Sequence, residues 1–441
     1  MASIPELVIA NGGITANVAI PAEGMKEGEA AELTVVEKAL SDPEDEAFAF
    51  WARHCVPTIK SLLKNVGSYT PEEQISHIRF VEKYIVPALG SKPEKERARS
   101  LLTINGGPLE TSVNVSDNGK PCVRFTIEPH MPDSDILEDS PIPGVARGVG
   151  ADLGWFKQLA AELFPNQEEI EIMKTKMPKD SRSIPRVMTA FDLDGGDRSM
   201  KAYFYPVIKN MASGVNTDKV CIETIKKLEP LGKAFIPALE YIQSYRQIIQ
   251  PEKALITVLG IDCIDPHQGA RVKLYMNPRS NTFEAIEDHV TFGGKAKDKE
   301  TMDGLAILRE MWHLFFHEPQ TMDAAYSKPV NVPKSGHQGM VSSWELKPGV
   351  EKPEVKVYVP LFQYFKSDRA IADSLEKAFG LRGWDWGTEG TYRNILADAF
   401  GKDTVDDEVE TPLLHSYISF NFSQKKGAYM TAYVAPFIRW E

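Results

Sequence analysis

In the stretch Arg271-Val-Lys-Leu-Tyr275, Arg, Lys and Tyr occupy every second position and aliphatic residues fill the positions between them. Four further stretches repeat this alternation: Cys122-Val-Arg-Phe-Thr-Ile-Glu128, Lys201-Ala-Tyr-Phe-Tyr205, Lys356-Val-Tyr-Val359 and Tyr429-Met-Thr-Ala-Tyr433. Successive side chains of a β-strand point to opposite faces, so each stretch predicts a strand with one polar face and one apolar face.

The two faces of these five strands differ in composition. The polar face comprises Arg124, Lys201, Tyr203, Arg271, Lys273, Tyr275, Lys356, Tyr358, Tyr429 and Tyr433. The apolar face comprises Val123, Phe125, Phe204, Val272, Leu274, Val357 and Met430. The apolar face is suited to burial under helices. Tyrosine rings gain little at a water-facing surface, so the polar face predicts an enclosed cavity for a polyanion and a cationic or aromatic group.

A crude repeat of two helices followed by two strands runs along the chain. Strand pairs are predicted around residues 109–128, 187–206, 255–277, 341–360 and 415–434. Helices are predicted from about residue 44 and over 71–86, 150–164, 219–248, 299–316 and 367–400. Short connections within each strand pair favour antiparallel hairpins. The prediction is an α+β fold in which a ten-stranded antiparallel β-barrel is ringed by helices, in repeated ααββ units. The alternative is an open α+β sheet in two domains.

Composition narrows the class of protein. The net charge of −12 disfavours nucleic acid or an anionic membrane as a partner. The four cysteines lack CxxC spacing, which argues against a disulfide framework or a structural zinc site. A signal peptide and an apolar run long enough to span a membrane are both missing from the sequence. We therefore expect a soluble cytoplasmic protein with a flexible Gly- and Ala-rich leader at 1–35 and one domain at 36–441; the sequence leaves a homodimer open.

Glu110 is the candidate catalytic residue. It stands at the start of the first predicted strand, on one face with Ser112 and Asn114. A carboxylate in a cavity otherwise lined with cations could accept a hydrogen bond from a substrate N–H and later a proton. The alternative role is a salt bridge to one of the strand cations. Arg and Lys side chains are the usual ligands of a diphosphate, and tyrosine faces stabilise a carbocation, so the set fits ionisation of an allylic diphosphate.

Other motifs in the sequence do not predict a metal, nucleotide or serine hydrolase site. His313 and His317 lie four residues apart on a predicted helix, but this helix is apolar and has no His-Glu-x-x-His sequence. The acidic run Asp406-Asp-Glu-Val-Glu410 precedes Pro412 and is typical of a solvated loop, so we predict no metal site there. Gly148-Val-Gly150 lacks the rest of a dinucleotide fingerprint, and the chain has no Walker A or Gly-x-Ser-x-Gly sequence.

The chain resembles the fungal indole prenyltransferases of the dimethylallyltryptophan synthase family. The likeness runs from about Trp51 to the C-terminus through Trp51 to Leu63, Pro-Ala-Leu-Gly90, Pro108-Leu-Glu110, Arg124 to Pro129, Asp192 to Pro206, Arg271 to Tyr275, Lys356 to Pro360 and Tyr417 to Pro436. The resemblance implies the barrel of prenyltransferases built from ααββ units. It also implies metal-independent transfer of a dimethylallyl group from dimethylallyl diphosphate to an indole in alkaloid biosynthesis, with no required cofactor.

The resemblance also implies roles for individual residues. The donor diphosphate would be held by Arg124, Lys201, Arg271, Lys273 and Lys356. The allyl cation would be shielded from water by Tyr203, Tyr275, Tyr358, Tyr417, Tyr429 and Tyr433. Glu110 would fix the indole N–H, and Leu102 and Met188 would line the acceptor pocket.

Two departures from the family pattern bear on the acceptor. Enzymes that prenylate free tryptophan at C4 have a Lys, proposed to take the final proton, where this chain has Met188, and an Arg for the amino-acid carboxylate where it has Thr257 or Val258. Neither Thr257 nor Val258 can pair with a carboxylate, which favours a larger, neutral indole such as a cyclic dipeptide or an indole diterpene. Free tryptophan, a phenolic acceptor such as tyrosine or a hydroxylated polycycle, and a non-catalytic barrel that binds a hydrophobic ligand are the alternatives.

Overall fold

The computed structural model describes residues 45–132, 136–177, 181–182, 184–248, 256–278, 280–331, 339–402, 405 and 414–440. The predicted leader at 1–35 lies outside these residues. So does the acidic run at 406–410.

Ten antiparallel strands close into a barrel in the order β1-β10-β9-β8-β7-β6-β5-β4-β3-β2. They are β1 Leu109–Ser116, β2 Gly119–Ile127, β3 Val187–Asp194, β4 Asp197–Phe204, β5 Ile256–Asp262, β6 Val272–Met276, β7 Val341–Leu346, β8 Glu354–Pro360, β9 His415–Ser423 and β10 Gly427–Val434. Every strand pairs with its neighbour in sequence, and β1 closes the barrel against β10. The predicted barrel is confirmed, and the open two-domain sheet is wrong.

Helices surround the barrel. They are α1 Glu46–Asn65, α2 Pro71–Phe80, α3 Ile142–Val149, α4 Gly154–Leu163, α5 Gln167–Lys176, α6 Val207–Ser213, α7 Thr217–Lys227, α8 Ile236–Ile248, α9 Phe283–Thr291, α10 Lys299–Phe315, α11 Asp368–Leu381 and α12 Thr391–Phe400. A capping box begins α2, in which Thr70 accepts from the Glu73 backbone N–H and the Glu73 carboxylate accepts from Thr70. A π-helical turn, Val81–Ile85, continues that helix.

Two predicted helical regions are each divided into two helices. The region 219–248 breaks between α7 and α8, where Pro230 lacks the N–H that a continuing helix needs. The region 367–400 breaks between α11 and α12, where Gly383 and Gly390 adopt φ of 67° and 73°. Positive φ ends a right-handed helix and favours glycine.

The hydrophobic core lies between the barrel wall and the helices. All seven residues predicted to form the apolar face of the strands are at most 2% exposed. Phe125 stacks on Phe191 of β3 with ring centroids 4.9 Å apart, and Phe204 meets Phe156 of α4 at 5.1 Å. Replacing Phe125 by alanine would cost about 3–5 kcal/mol of stability at a site of this kind. Because successive residues alternate across a strand, this core fixes which side chains point into the lumen.

Candidate active site

The lumen of the barrel contains a polar cavity with about 810 Å³ of empty space, its open mouth included. All five predicted cations line it: Arg124, Lys201, Arg271, Lys273 and Lys356. Five of the six predicted tyrosines also line it: Tyr203, Tyr275, Tyr358, Tyr429 and Tyr433. Side chains from five separate strand pairs therefore meet in a single cavity.

Carboxylates face the cations across the strands. The register places Arg124 opposite Asp192, Lys201 opposite Asp262 and Lys273 opposite Glu345. The Arg124 Nε atom lies 3.3 Å from Asp192 Oδ1, and Lys201 Nζ donates to Asp192 Oδ2. Burial raises the pKa of Asp192, but Arg124 and Lys201 outweigh this and hold it well below its usual range. These paired charges form a rigid cationic wall, which we call the cation end of the lumen.

Arg271 and Lys273 share two carboxylates at the cation end. Arg271 Nε donates to Asp262 Oδ2 at 2.5 Å, and Arg271 Nη1 donates to Glu345 Oε1 at 3.1 Å. Lys273 Nζ lies 3.5 Å from Asp262 Oδ1 and 3.7 Å from Glu345 Oε2. The interlocked pairs hold both cations in place before any ligand binds, which lowers the cost of binding an anion.

The acidic residues of the cavity and one of its cations were not predicted from the sequence. Lys426, in the turn between β9 and β10, lines the cavity and lies with its Nζ atom 5.2 Å from the Tyr429 ring centroid. Six cationic side chains and three acidic ones, Asp192, Glu345 and Glu354, line the cavity, which leaves an excess of three positive charges when all are ionised. The acids have a sequence signal, since they occupy the lumen-facing phase of their strands. Lys426 has none, because it follows a strand and belongs to no alternating stretch.

Lys356 differs from the other predicted cations. Its Nζ atom donates to Thr431 Oγ1 at 3.3 Å, and within the described part of the chain it forms no ion pair. Burial lowers its pKa well below the usual range, and the nearby charges of Arg124 and Lys273 lower it further. Burial also lowers the pKa of Lys201, to about 8, against the opposing effect of Asp192. Lys356 therefore lacks a counter-charge that an anionic ligand would supply.

Four tyrosines form a continuous band around the lumen. Ring centroids are 5.7 Å apart between Tyr203 and Tyr275, 6.0 Å between Tyr275 and Tyr358, and 6.1 Å between Tyr358 and Tyr433. Burial raises the pKa of all four phenols, so they are neutral at physiological pH. Tyr429 lies apart from this band, where Lys356 Nζ approaches its ring centroid to 5.4 Å and Asn421 donates to its hydroxyl at 2.7 Å.

Glu110 is not among the residues that line this cavity, but it lies on the same face of β1 as Ser112 and opposite Thr126, both of which line it. We call this part of the lumen the acceptor end. Glu110 is 8% exposed, and its carboxylate accepts a hydrogen bond from the Ser416 hydroxyl. No Lys or Arg of the described residues forms an ion pair with it. Burial raises the pKa of Glu110 to about 7, while the Ser416 hydrogen bond opposes this rise. The predicted alternative of a salt bridge to Glu110 is therefore wrong, and the carboxyl group can hold or release a proton near neutral pH.

A β-bulge brings Ser416 to Glu110. In the register of β9 with β10, Val434 faces His415 and Ala432 faces Ile418, so two residues of β9 oppose one of β10. A bulge of this kind re-aims a side chain. His415 is fixed just before the bulge by Asp368, whose carboxylate accepts from the His415 backbone N–H at 2.9 Å. The sequence of β9 contains no signal of the bulge, so Ser416 was not predicted as a partner of Glu110.

Met188, one of the two predicted acceptor residues, lies at this same end, next to Tyr205. Met188 is 5% exposed, and its sulfur accepts from the Tyr205 hydroxyl at 2.9 Å. Burial raises the pKa of Tyr417 and of Tyr205, and the nearby Glu110 charge raises both further. Tyr417 therefore lies beside Glu110, on the acceptor side of the tyrosine band.

Leu102, the other predicted acceptor residue, and the two candidate positions for a missing arginine are uncharged. Leu102 is 8% exposed. Val258 faces Tyr275 in the strand register, and the Thr257 hydroxyl donates to the Tyr275 carbonyl at 3.3 Å. Neither position offers a cation for an amino-acid carboxylate.

No group of three or more His, Cys, Asp and Glu side chains is arranged to hold a metal ion among the residues that the structure describes. His317 adopts φ of 53°, and its ring meets Phe365 with centroids 4.9 Å apart. In the same part of the chain, no helix combines the length and the apolar character that crossing a bilayer requires.

The fold and the site together define a closed barrel whose cationic cavity can accept a polyanion beside a band of tyrosines and a buried carboxyl group. Residues 48–394 match the family described as Tryptophan dimethylallyltransferase. The chain is 34% identical over 408 residues to the indole prenyltransferase tdiB of Emericella nidulans, covering 88% of this chain and 95% of that protein. It is 33% identical over 432 residues to the indole diterpene prenyltransferase terF of Tolypocladium album, covering 92% and 98%.

The crystal structure of AnaPT from Neosartorya fischeri has the same fold, with a TM-score of 0.77 at 23% identity over 92% of this chain and 98% of that one. The chain belongs to the tryptophan dimethylallyltransferase family. It is a prenyltransferase, as the sequence predicted, and the alternative of a non-catalytic barrel is wrong.

Proposed function

We propose that this enzyme transfers the dimethylallyl group of dimethylallyl diphosphate to a large, neutral indole without requiring a divalent metal ion. The observation that carries the proposal is the arrangement of the barrel interior: cations and neutral tyrosines line one cavity, and Glu110 lies next to it, on the same face of β1 as the cavity-lining Ser112. Each region matches one part of the reaction: the leaving group, the allyl cation and the nucleophile.

The cation end would hold the diphosphate. A diphosphate carries about three negative charges near neutral pH, and Arg forks with Lys point charges are its usual protein ligands. Its charge would restore full protonation of Lys201 and Lys356, whose pKa values burial lowers in the free enzyme. When the carbon–oxygen bond breaks, the electron pair leaves with the diphosphate, and the preorganised cations stabilise the charge that develops there. The cations would thus stabilise the negative charge of the leaving diphosphate, which is the role of a metal ion in other enzymes.

The tyrosine band would stabilise and shield the allyl cation. A cation over a desolvated aromatic ring gains on the order of 2 kcal/mol. Tyr203, Tyr275, Tyr358 and Tyr433 surround the lumen as neighbouring rings. Their neutral phenols leave no anion for the cation to combine with, and their bulk excludes water that would quench it. Tyr417 would extend the shield toward the acceptor.

Glu110 would orient the indole and take up its proton. As a carboxylate it accepts a hydrogen bond from the indole N–H, which raises the electron density of the ring. The ring attacks the allyl cation and forms the new bond to the prenyl carbon. The proton lost to restore aromaticity can pass to the Glu110 carboxylate, whose pKa of about 7 suits a general base at neutral pH.

The acceptor end favours a neutral molecule larger than tryptophan. Thr257 or Val258 stands where the family pattern for free tryptophan has an Arg for the amino-acid carboxylate, and Met188 stands where it has a Lys proposed to take the final proton. An uncompensated substrate carboxylate at this buried end would be costly, especially beside Glu110. Support also comes from tdiB and terF, whose names describe an indole prenyltransferase and an indole diterpene prenyltransferase. We therefore propose an indole diterpene or a cyclic dipeptide as the acceptor class.

An acceptor panel tests the proposal. Labelled dimethylallyl diphosphate is incubated with an indole diterpene, a tryptophan cyclic dipeptide, free tryptophan, tyrosine and a hydroxylated polycycle, each with excess EDTA. The expected result is efficient transfer to one of the first two acceptors and weak transfer to the others. Transfer to the phenols alone would contradict the indole assignment, and loss of all turnover in EDTA would contradict metal independence.

The cytoplasmic location, the leader at 1–35 and the homodimer stay predictions. Cell fractionation tests the first of these. Turnover after deletion of residues 1–35 tests the second, since a separate leader can be removed without loss of activity. Light scattering of the purified chain tests the third.

A further inference from the structure

Small residues alternate with the tyrosines around the lumen. The strand register places each tyrosine of the band directly opposite a small residue of a neighbouring strand: Tyr203 opposite Gly260, Tyr275 opposite Ser343, Tyr358 opposite Ser419 and Tyr433 opposite Ser112. Alternation of large and small side chains lets rings lie against a barrel wall. Gly260 is the extreme case, because it has no side chain at all.

Gly260 is in close contact with two rings of the band. A Cβ atom at this position would stand 2.9 Å from Tyr203 Cδ1, 3.0 Å from Tyr203 Cε1 and 3.4 Å from Tyr275 Cε2. Real Cβ atoms essentially never approach another heavy atom so closely. The φ of Gly260 is not positive, so its backbone tolerates alanine and the restriction comes from the rings.

The Tyr203 ring has little freedom to avoid a methyl group at 260. It meets Tyr275 edge to face at 81°, and both tyrosines lie on the lumen side of the wall. A methyl group on the wall beneath them therefore displaces the rings inward, into the space next to the cation end. Such overpacking of a tight contact changes side-chain positions even where the fold survives.

We propose that Gly260 is a positioning residue for the reaction: it lets Tyr203 and Tyr275 lie flat against the barrel wall and so keeps open the space for the prenyl chain of the donor. This inference rests on the donor site assigned in the proposed function. Gly260 acts through the two rings and contributes no chemistry of its own. The cations bind the diphosphate independently of this contact, whereas the prenyl chain depends on it.

Two ligands separate these contributions in Gly260→Ala. Inorganic diphosphate uses the cation end alone, whereas dimethylallyl thiolodiphosphate also places its prenyl chain among the tyrosines. Isothermal titration calorimetry of the variant is expected to show an unchanged affinity for inorganic diphosphate. The affinity for the thiolodiphosphate is expected to fall about tenfold, the loss that moderate overpacking produces. A general structural defect would instead lower the affinity for both ligands.

Gly144→Ala is the matched control. Gly144 lies in α3, and a Cβ atom there meets nothing within 4 Å. Both affinities should match the wild type in this variant.

A double-variant cycle tests whether Gly260 acts through Tyr203 and remains informative if Gly260→Ala folds poorly. Once Tyr203→Ala has removed the ring, adding Gly260→Ala should change thiolodiphosphate affinity by less than about threefold, because coupled residues are not additive. Three results would overturn the role of Gly260. In Gly260→Ala, these are an equal loss of affinity for both ligands or an unchanged affinity for both. In the cycle, it is full additivity of the two substitutions. Wild-type protein that binds neither ligand would overturn the donor site and this proposal with it.

Discussion

A carboxyl group has a lowered pKa at the cation end of the lumen and a raised pKa at the acceptor end. At the cation end, Arg124 and Lys201 hold the pKa of Asp192 well below its usual range although burial raises it. At the acceptor end, burial raises the pKa of Glu110 to about 7, and no described cation pairs with it. A carboxyl group is therefore a fixed counter-ion at one end and a proton carrier at the other. Neighbouring charge, rather than residue type, therefore assigns the roles of carboxyl groups in this barrel.

Reversing one charge at the cation end is expected to give the largest effect. Lys201→Glu places a carboxylate beside Asp192 and the donor diphosphate, so kcat/KM for dimethylallyl diphosphate should fall about 10³-fold or more. Lys201→Gln, which removes the charge without reversing it, should show a smaller loss. Steady-state kinetics with varied donor give both values.

The control for this pair is Lys120→Glu, a charge reversal at an exposed position on β2. It should behave as wild type. A donor KM that stays unchanged in Lys201→Glu, with the fold intact by circular dichroism, would count against the cation end as the donor site.

Removing the Glu110 carboxylate at the acceptor end is expected to give the second largest effect on activity. Glu110→Gln keeps the shape of the side chain but cannot take up a proton, so kcat should fall about 10²–10³-fold while the donor KM changes little. In the wild type, kcat/KM for the acceptor should fall below about pH 7 as Glu110 becomes protonated. The variant should lack this acidic limb, and Ser416→Ala should retain it. Activity near wild type in Glu110→Gln would remove the assigned role.

The raised pKa of Glu110 also predicts a stability effect. Folding favours the protonated form of a carboxyl group with a raised pKa, so this contribution is complete below the unfolded pKa of about 4.5 and is lost as pH rises through about 7. Glu110→Gln should therefore be more stable than wild type at pH 8 by on the order of 2 kcal/mol, with little difference at pH 4.5. Urea unfolding at both pH values measures this. Equal stability of the wild type and Glu110→Gln at pH 8 would show that the Glu110 carboxylate is solvated, contrary to the prediction.

Lys356→Gln is expected to give the smallest effect. Lys356 has Thr431 as its hydrogen-bond partner, and burial lowers its pKa well below the usual range in the free enzyme. Glutamine can still donate a hydrogen bond to the diphosphate, so the donor KM should rise only about threefold to tenfold. Donor titrations compare it with Lys201→Gln. A larger loss in Lys356→Gln than in Lys201→Gln would show that the unpaired cation dominates donor binding.

The sequence predicted those parts of the molecule that follow from alternation. Each face of a stretch such as Arg271 to Tyr275 has its own composition, and that is enough to separate lumen from core and to predict a barrel. The acids Asp192 and Asp262 have the same alternation, but alternation within one strand does not predict which cation each acid pairs with. Register decides which acid faces which cation, and register belongs to strand pairing rather than to any single strand.

Other features of the site depend on irregular structure. Ser416 reaches Glu110 through a bulge, and Lys426 enters the cavity from a turn. Neither leaves a periodic signal in the chain. Gly260 is an ordinary glycine in sequence, and its contact with Tyr203 exists only once β4 and β5 are paired. These side chains are placed by tertiary contacts, so sequence patterns alone could not assign them.

We propose that one lumen holds the donor at its cation end and the indole at Glu110, with the tyrosine band between them. A crystal structure with dimethylallyl thiolodiphosphate and an unreactive indole acceptor would show this arrangement. We predict diphosphate oxygens within hydrogen-bond distance of Arg124, Lys201 and Arg271, and the indole N–H donating to Glu110. A diphosphate bound outside the barrel, or an indole turned away from Glu110, would contradict the account.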